Sequence, residues 1–301
     1  MRLVVRPGEA GSVGQVLALH GAGSALAEGR VFLGTKRVDD ALLPVVEGDE
    51  IVVEAPREVR GGVHVVSEYR SLYAVFKPHG LPTEPDRSGT ASALHSVAEL
   101  LGVPPSVLHA ATRLDAQVSG LVVVARGAEA SRYCTELKAT GALRRRYLAV
   151  ASRAVEPAAG SWSTPIGSGR NGVPALGGPG ARAALTRYET LSAARPLASA
   201  AAPALLRVEP VTGRTHQIRL HAAGAGAPLL GDVKHGGPRR VVLPDGRALI
   251  VDRVALHAAE VQLFAEGATV WTATAPFPDD LVTLWAALGG DAAAPSRESS
   301  G

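Results

Sequence analysis

The sequence predicts an α+β protein: a large mixed or antiparallel sheet with flanking helices, preceded by a small N-terminal domain. Three observations carry that expectation. Short apolar runs outnumber helical patterns, and most of them follow one another through turns, as in a meander. The helical patterns are few and scattered between strands. A length of 301 residues, 46% of them hydrophobic, supports one large core with a smaller one attached.

Residues 1–56 read as the small domain. A helical stretch near "SVGQVLALHGAGSALAEG" precedes "RVFLGTKRVDDALLPVVEGDEIVVEAP", which contains a strand, a Gly-Thr-Lys turn and a closing strand. Residues 57–67 read as a linker. The larger domain, 68–288, opens with the strand "LYAVFK" broken by a Pro/Gly cluster. "SALHSVAELLGV" has helical spacing and stops at Gly102, while "LVVVA" is a buried strand. "AEASRYCTELKAT" is a helix ended by Gly141, and "LRRRYLAVAS" a strand. "ALTRYETLS" and "ALLRVEPV" pair across an Ala/Pro-rich loop. "TGRTHQIRLHAAG" enters a helix with Thr215 as N-cap, and "RRVVLPDGRALIV" is a hairpin around Pro-Asp-Gly. The strands "ALHAAEVQL" and "ATVWTATAP" and the helix "DDLVTLWAAL" complete the domain, and residues 289–301 read as a disordered tail.

Composition narrows the function classes. No apolar run approaches the roughly 20 residues that span a bilayer. The start "MRLVVRPGEAG" lacks a secretory h-region, so a cytoplasmic protein without membrane contact is expected. The single cysteine, Cys134, excludes an internal disulfide framework and a multi-cysteine zinc site. Net charge is only +3, but its distribution is uneven. The first 56 residues are acidic, whereas the span from Arg113 to Arg219 is rich in arginine, which suits a local polyanion site.

The stretch "ATRLDAQVSGLVVVARG", residues 111–127, sets Asp115 directly ahead of an apolar run. An unpaired buried carboxylate is costly, so this acid is either a solvated turn residue or held against a cation for chemistry. Three further segments bear on the choice. "FKPHGLPTEP" holds Lys77-Pro78 and Gly80, and "RRRYLAV" holds Tyr147. "TGRTHQIRLHAAGAGAPLLGDVKHGG" holds Arg214, His216, Gln217, Arg219 and Gly231-Asp232.

In these segments the chain resembles the RluA-type RNA pseudouridine synthases. Arg113-Leu114-Asp115 with Ser119-Gly120-Leu121 matches an "RLDxxTSGL"-like motif, and Tyr147 matches the tyrosine of a "KxYxAxV"-like strand. Gly213 to Asp232 matches "GRTHQIRxH…GxPLLGD" almost letter for letter. "KPxGLP" near the start of the domain and "LHAxxLxF" near its end extend the likeness over residues 68–288. Two positions depart from the pattern: Thr112 stands where the family has His, and Val118 where it has Thr.

The resemblance implies a pseudouridine-synthase-like fold and the isomerisation of uridine in structured RNA, ribosomal or transfer, by a chain expected to be monomeric and to need no cofactor or metal. It implies that Asp115 is the catalytic acid group acting on a flipped-out uridine, with Arg219 paired to it and Tyr147 stacked on the base. Arg113 would fill the vacated space or hold the flanking backbone, and Arg214 with the first helical N–H groups would meet a phosphate. His216 and Gln217 join the substrate-binding set, His216 supporting its loop through the backbone, and Leu121 and Ile218 are the expected apolar walls. The N-terminal domain resembles a divergent S4-like RNA-binding unit, with Arg30, Lys36 and Arg37 as its contacts, although its acidic balance opposes tight phosphate binding.

Two other readings compete. The departure at Thr112 and the acidic N-terminal module motivate an inactive relative serving as an RNA-binding or assembly factor. His216, His221, His235 and His257 could suggest a metal, but the five-residue step from His216 to His221 does not align both rings on one helical face.

Overall fold

The computed structural model describes residues 1–9, 11–27, 31–34, 36–38, 40–53, 62–85, 91–169, 172–197, 201–291 and 294–295. Its N-terminal part is a small antiparallel sheet in the order Arg2–Val4, Glu50–Val53, Val31–Leu33, Lys36–Arg37. Helix Val13–Leu19 starts at Ser12 through a capping box. The Ser12 hydroxyl accepts the Gln15 N–H, and the Gln15 side chain accepts the Ser12 N–H. Val13, Val16 and Leu17, spaced to share one face, bury against Leu3, Val31 and Ile51 in a core of their own.

The larger part is built on a ten-stranded sheet. Its main path runs Ala159–Trp162, Thr186–Ala193, Ala204–Pro210, Leu143–Ala151, Leu256–Ala265, Ser119–Arg126, Leu72–Lys77, His64–Tyr69. Ala268–Thr274 pairs with Leu256–Ala265, and Leu108–Ala110 with Ser119–Arg126. Neighbours are antiparallel except Ser119–Arg126 with Leu256–Ala265, which run parallel at the centre. The sheet is therefore mixed, as the turn-rich pattern predicted.

Alternation along the strands divides the core between two faces. Val75, Val122, Val124, Tyr147, Ala149 and Leu206 face one side, where helices Ala93–Leu101 and Gln217–Gly224 add Val97, Ile218 and Ala222. Leu121, Val123 and Ala125 face the other, under Cys134 and Leu137 of helix Gly127–Ala139. Leu148, Val150 and Leu205 lie on that side too, beneath Leu281 and Trp285 of helix Asp279–Ala287. No helix among the described residues is long and apolar enough to cross a membrane.

Three local expectations change. The linker expected at 57–67 lies outside the described residues up to position 61, and from His64 the chain already forms an edge strand of the large sheet, because Val65 packs on its core. Within the expected tail, Asp291 accepts the indole N–H of buried Trp285 at 3.0 Å, and Ala294 packs on the same core, so that stretch is tied down. Residues 292–293 and 296–301 lie outside the description. The glycine-rich stretches "GSGRNG" and "GGPGARAA", whose composition reads as a flexible loop, adjoin a hairpin, Ile166–Ser168 with Pro174–Leu176.

Candidate active site

Asp115 sits in the turn between Leu108–Ala110 and Ser119–Arg126, and its backbone is clamped from several directions. The Leu114 N–H donates to Thr83 Oγ1 at 3.0 Å, while the Thr83 hydroxyl donates to the Leu114 carbonyl at 2.9 Å. Gly80 N–H reaches the Ala116 carbonyl at 2.6 Å, and Val118 N–H closes the turn on the Asp115 carbonyl at 3.0 Å. Thr112 uses its hydroxyl to accept the Val123 N–H at 2.8 Å. Past the turn, Gly120 has φ 114°, and a Cβ there would overlap the Ala258 backbone, so only glycine permits the close parallel pairing.

The cation arrives from 104 positions away: Arg219 Nη1 donates to Asp115 Oδ2 at 2.7 Å. Its aim is set by a second carboxylate. Arg219 Nε donates to Asp232 Oδ2 at 2.8 Å and Nη2 to Asp232 Oδ1 at 2.6 Å, a bidentate pair that fixes the guanidinium plane. Arg219 is 4% exposed and Asp232 1%, so neither can relax into solvent. Burial opposes the charge on Arg219, but its hydrogen bonds to Asp232 and Asp115 outweigh burial and raise its pKa. The Asp115 side chain is 27% exposed, and its Oδ1 has no protein hydrogen bond among the described residues, leaving that oxygen for a ligand.

Asp115 and Arg219 line a cleft of about 1160 Å³, more room than a single base needs. Tyr147, Leu114, Val118, Ile218 and Leu256 make its apolar surfaces. Seven basic side chains line it against three carboxylates, which favours a polyanion. Burial raises the pKa of the Tyr147 hydroxyl; the Asp115 charge adds to this and Arg145 opposes it, so the phenol stays protonated at neutral pH.

Of the residues expected at the site, Asp115, Arg219, Tyr147, Arg113, Arg214, His216, Gln217 and Ile218 all line this cleft. Arg113 stands at the rim, exposed, bonded to Glu84 at 3.1 Å. Arg214 is half-buried, and its Nε donates to the Ala183 carbonyl at 3.0 Å. Leu121 is not a wall. It points into the core on the opposite face of the sheet, because a strand residue of that parity cannot reach the cleft side.

Gln217 lines the cleft without a free valence. Its Oε1 accepts from Thr212 Oγ1 at 2.7 Å and Arg214 N at 3.0 Å, and its Nε2 donates to Leu185 O and Thr186 Oγ1 at 3.0 and 2.9 Å. All four positions of the amide are used, so it ties the loop together rather than binding a ligand. The helix cap falls on His216, not Thr215, with φ 56° and ψ 20°. His216 bonds to a side chain rather than to backbone: its Nδ1 lies 2.9 Å from His235 Nε2. Lys36 is exposed on the small sheet, Arg30 lies outside the described residues, and only the backbone of Arg37 is described.

Three participants escaped the sequence reading. Asp232 was visible in "GAPLLGD" but nothing in the spacing announced its grip on Arg219. Buried Lys77 donates to the Pro78 and Leu81 carbonyls at 2.9 and 2.7 Å. Burial lowers its pKa to about 7, partly offset by Asp115 and reinforced by Arg253. Beneath the Asp115 turn, Arg253 holds Asp280 bidentately and donates through Nη1 to Ser119 Oγ at 2.8 Å. Ser119 in turn meets His257 Nδ1 at 2.8 Å.

Comparison with known proteins gives a consistent answer. The family model described as RNA pseudouridylate synthase matches residues 71–224. A ribosomal large subunit pseudouridine synthase D from Pseudomonas aeruginosa is 31% identical over 86% of this chain and 85% of its own length. An uncharacterized RNA pseudouridine synthase, YhcT, from Bacillus subtilis is 29% identical over 80% and 79%. Among solved structures, human RNA pseudouridylate synthase domain containing 4 matches with a TM-score of 0.57 at 23% identity, covering 75% of this chain and 93% of that one, a likeness of fold.

Proposed function

The chain belongs to the RNA pseudouridylate synthase family and isomerises uridine to pseudouridine in RNA, and on that premise we propose that Asp115 is its catalytic residue, acting on a uridine flipped into the cleft. The observation that carries this assignment is the Asp115–Arg219–Asp232 arrangement, with one Asp115 oxygen bonded to a buried guanidinium and the other open to the cleft.

The reaction detaches uracil from C1′, turns it over and rejoins it through C5. A carboxylate serves because it can act on sugar or base and leave again. Arg219 holds Asp115 in an ion pair at 2.7 Å in partly apolar surroundings. Tyr147 offers a ring for the base to stack on, and Ile218 and Val118 an apolar wall. The reacting atoms are inaccessible inside a helix, so the base must be extruded. Exposed Arg113 and half-buried Arg214, both lining the cleft, suit the phosphates flanking the flipped nucleotide. The name of the Pseudomonas aeruginosa relative supports ribosomal RNA as the substrate. The S4-like reading of the N-terminal unit supports it as a second RNA contact.

Thr112 is one of the two grounds for the inactive binding factor, beside the acidic N-terminal module. At Thr112 the hydroxyl holds the Val123 N–H, and the ion pair is intact beside it, which favours activity. Asp115→Asn should abolish tritium release from C5-labelled uridine while RNA binding and thermal unfolding stay near wild type. Turnover retained by this variant would end the assignment. Mapping pseudouridine in ribosomal and transfer RNA from cells with and without the gene identifies the target.

A further inference from the structure

We propose that His216 is a further catalytic residue: its Nε2–H donates a hydrogen bond to the uracil carbonyl oxygen on which negative charge gathers during the rearrangement. The proposal rests on the pseudouridine synthase reading and gives that site a neutral N–H donor for the base beside Asp115.

The geometry begins with backbone strain. Among described residues four non-glycines have positive φ, and His216 is the one of them that lines the cleft. Such strain persists only when the surroundings impose it, and it turns this ring toward Asp115. His216 Nε2 lies 3.8 Å from Asp115 Oδ2, too far for a hydrogen bond but close enough for the charge to select the tautomer. A protonated Nε2 is attracted to that carboxylate, and a bare lone pair is repelled. Nε2 therefore carries the hydrogen, and Nδ1 accepts from His235 Nε2 at 2.9 Å. The ring is locked on a side chain that lines the cleft, and its one remaining N–H has no hydrogen-bond acceptor among the described residues.

The ring is also neutral. Burial is the main cause, with Arg219, Lys234 and His235 acting in the same sense and Asp115 against it, and together they lower the His216 pKa to about 4. A neutral imidazole keeps its N–H at physiological pH and does not compete with Arg219 for Asp115. It is suited to polarising a carbonyl.

The electron count shows where such a donor is needed. If the C1′–N1 bond breaks first, its electron pair stays on the base and spreads over N1 and the carbonyl oxygens. If Asp115 adds at C6 instead, the C5=C6 pair moves into the same carbonyl system. Both routes place one negative charge on the ring, and a fixed donor binds it more tightly than the neutral ground state. No proton leaves His216. C5 loses one proton and N1 gains one, so the isomerisation balances without a co-reactant.

The test compares RNA containing uridine with RNA containing 5-fluorouridine at the target, whose electron-poor ring carries negative charge with less help. Disappearance of the N-glycoside is followed for wild type, His216→Asn and His235→Phe. Asn tolerates the left-handed backbone, and the second variant leaves His216 in place but frees its tautomer. On uridine, kcat should fall by ~10²–10³-fold in His216→Asn, as when one such donor is removed elsewhere, with KM little changed. His235→Phe should show a smaller fall. Both deficits should shrink on 5-fluorouridine. Equal deficits on the two substrates mean a structural role and overturn the proposal, as does an unimpaired His216→Asn. Wild type that converts no uridine would remove the enzyme reading itself, a different result from active wild type with equal deficits.

Discussion

At the residue scale the site depends on orientation more than on the presence of charge. Arg219 could pair with Asp115 in many ways if it were free to turn, but the Asp232 fork leaves one guanidinium edge for Asp115. Asp232→Asn keeps the volume and removes the charge that fixes the plane. It should lower kcat by about 10²-fold, the order expected for a misplacement near 1 Å, with RNA affinity nearly unchanged. Steady-state kinetics on one RNA substrate separates the two. Gln217 makes the opposite case: lining the cleft does not make a residue a ligand. Replacing it with Ala strands Thr212, Arg214 N, Leu185 O and Thr186, and should cost at least about 1–3 kcal/mol of stability by urea unfolding.

At the element scale, the device that steadies Asp115 is the parallel junction of Ser119–Arg126 with Leu256–Ala265. Only two residue pairs form there, so side chains reinforce it. His257 Nε2 faces the Ala275 carbonyl at 3.3 Å and must carry the hydrogen, which makes Nδ1 the acceptor of the Ser119 hydroxyl. Burial drives the His257 pKa down to about 3. The folded state thus binds fewer protons than the unfolded chain below the ordinary histidine value. Stability conferred by a neutral His257 is complete above about pH 6.5 and erodes as pH falls toward 3, by at most about 1.4 kcal/mol per pH unit. Wild type should lose more stability between pH 7 and 5 than His257→Gln, which keeps an acceptor and a donor but cannot titrate. Denaturant unfolding at the two pH values decides it. Gly120→Ala, which forces a Cβ into Ala258, should part the strands and lower both melting temperature and kcat.

At the scale of the whole molecule, two separate cores allow the parts to be tested apart. The N-terminal unit buries Val13, Val16, Leu17 and Ile51 among its own residues, and the cores of the large sheet draw on positions from Val63 onward. A chain beginning at residue 62 should fold and keep its turnover number at saturating RNA. If the S4-like reading is right, its KM for long structured RNA rises and the salt dependence of binding weakens, which filter binding across a salt series measures.

Local patterns made most of the fold legible. Alternation and turn chemistry announced "LVVVA", "LRRRYLAV" and the Pro-Asp-Gly hairpin because a strand's face and a tight turn are properties of neighbouring residues. The long "GRTHQIRLH" motif pointed to Arg219 for the same reason, whereas "GAPLLGD" showed Asp232 as a letter without its grip on Arg219. Leu121 was misjudged because its side of the sheet depends on where the strand lies, not on its distance from Asp115. The cap shifted to His216 because Gln217 consumed the loop's hydrogen bonds.

What the sequence determined alone was therefore the family, the order of its strands and helices, and the candidate acid, Asp115. Tertiary structure alone decided which oxygen of Asp115 stays open, which carboxylate aims Arg219, and which tautomer His216 holds. Those depend on contacts between positions 13 to 138 residues apart, at hydrogen-bond distances of 2.7 to 2.8 Å. Periodicity and motif carry information about neighbours along the chain, and no local pattern encodes the angle at which two remote side chains meet.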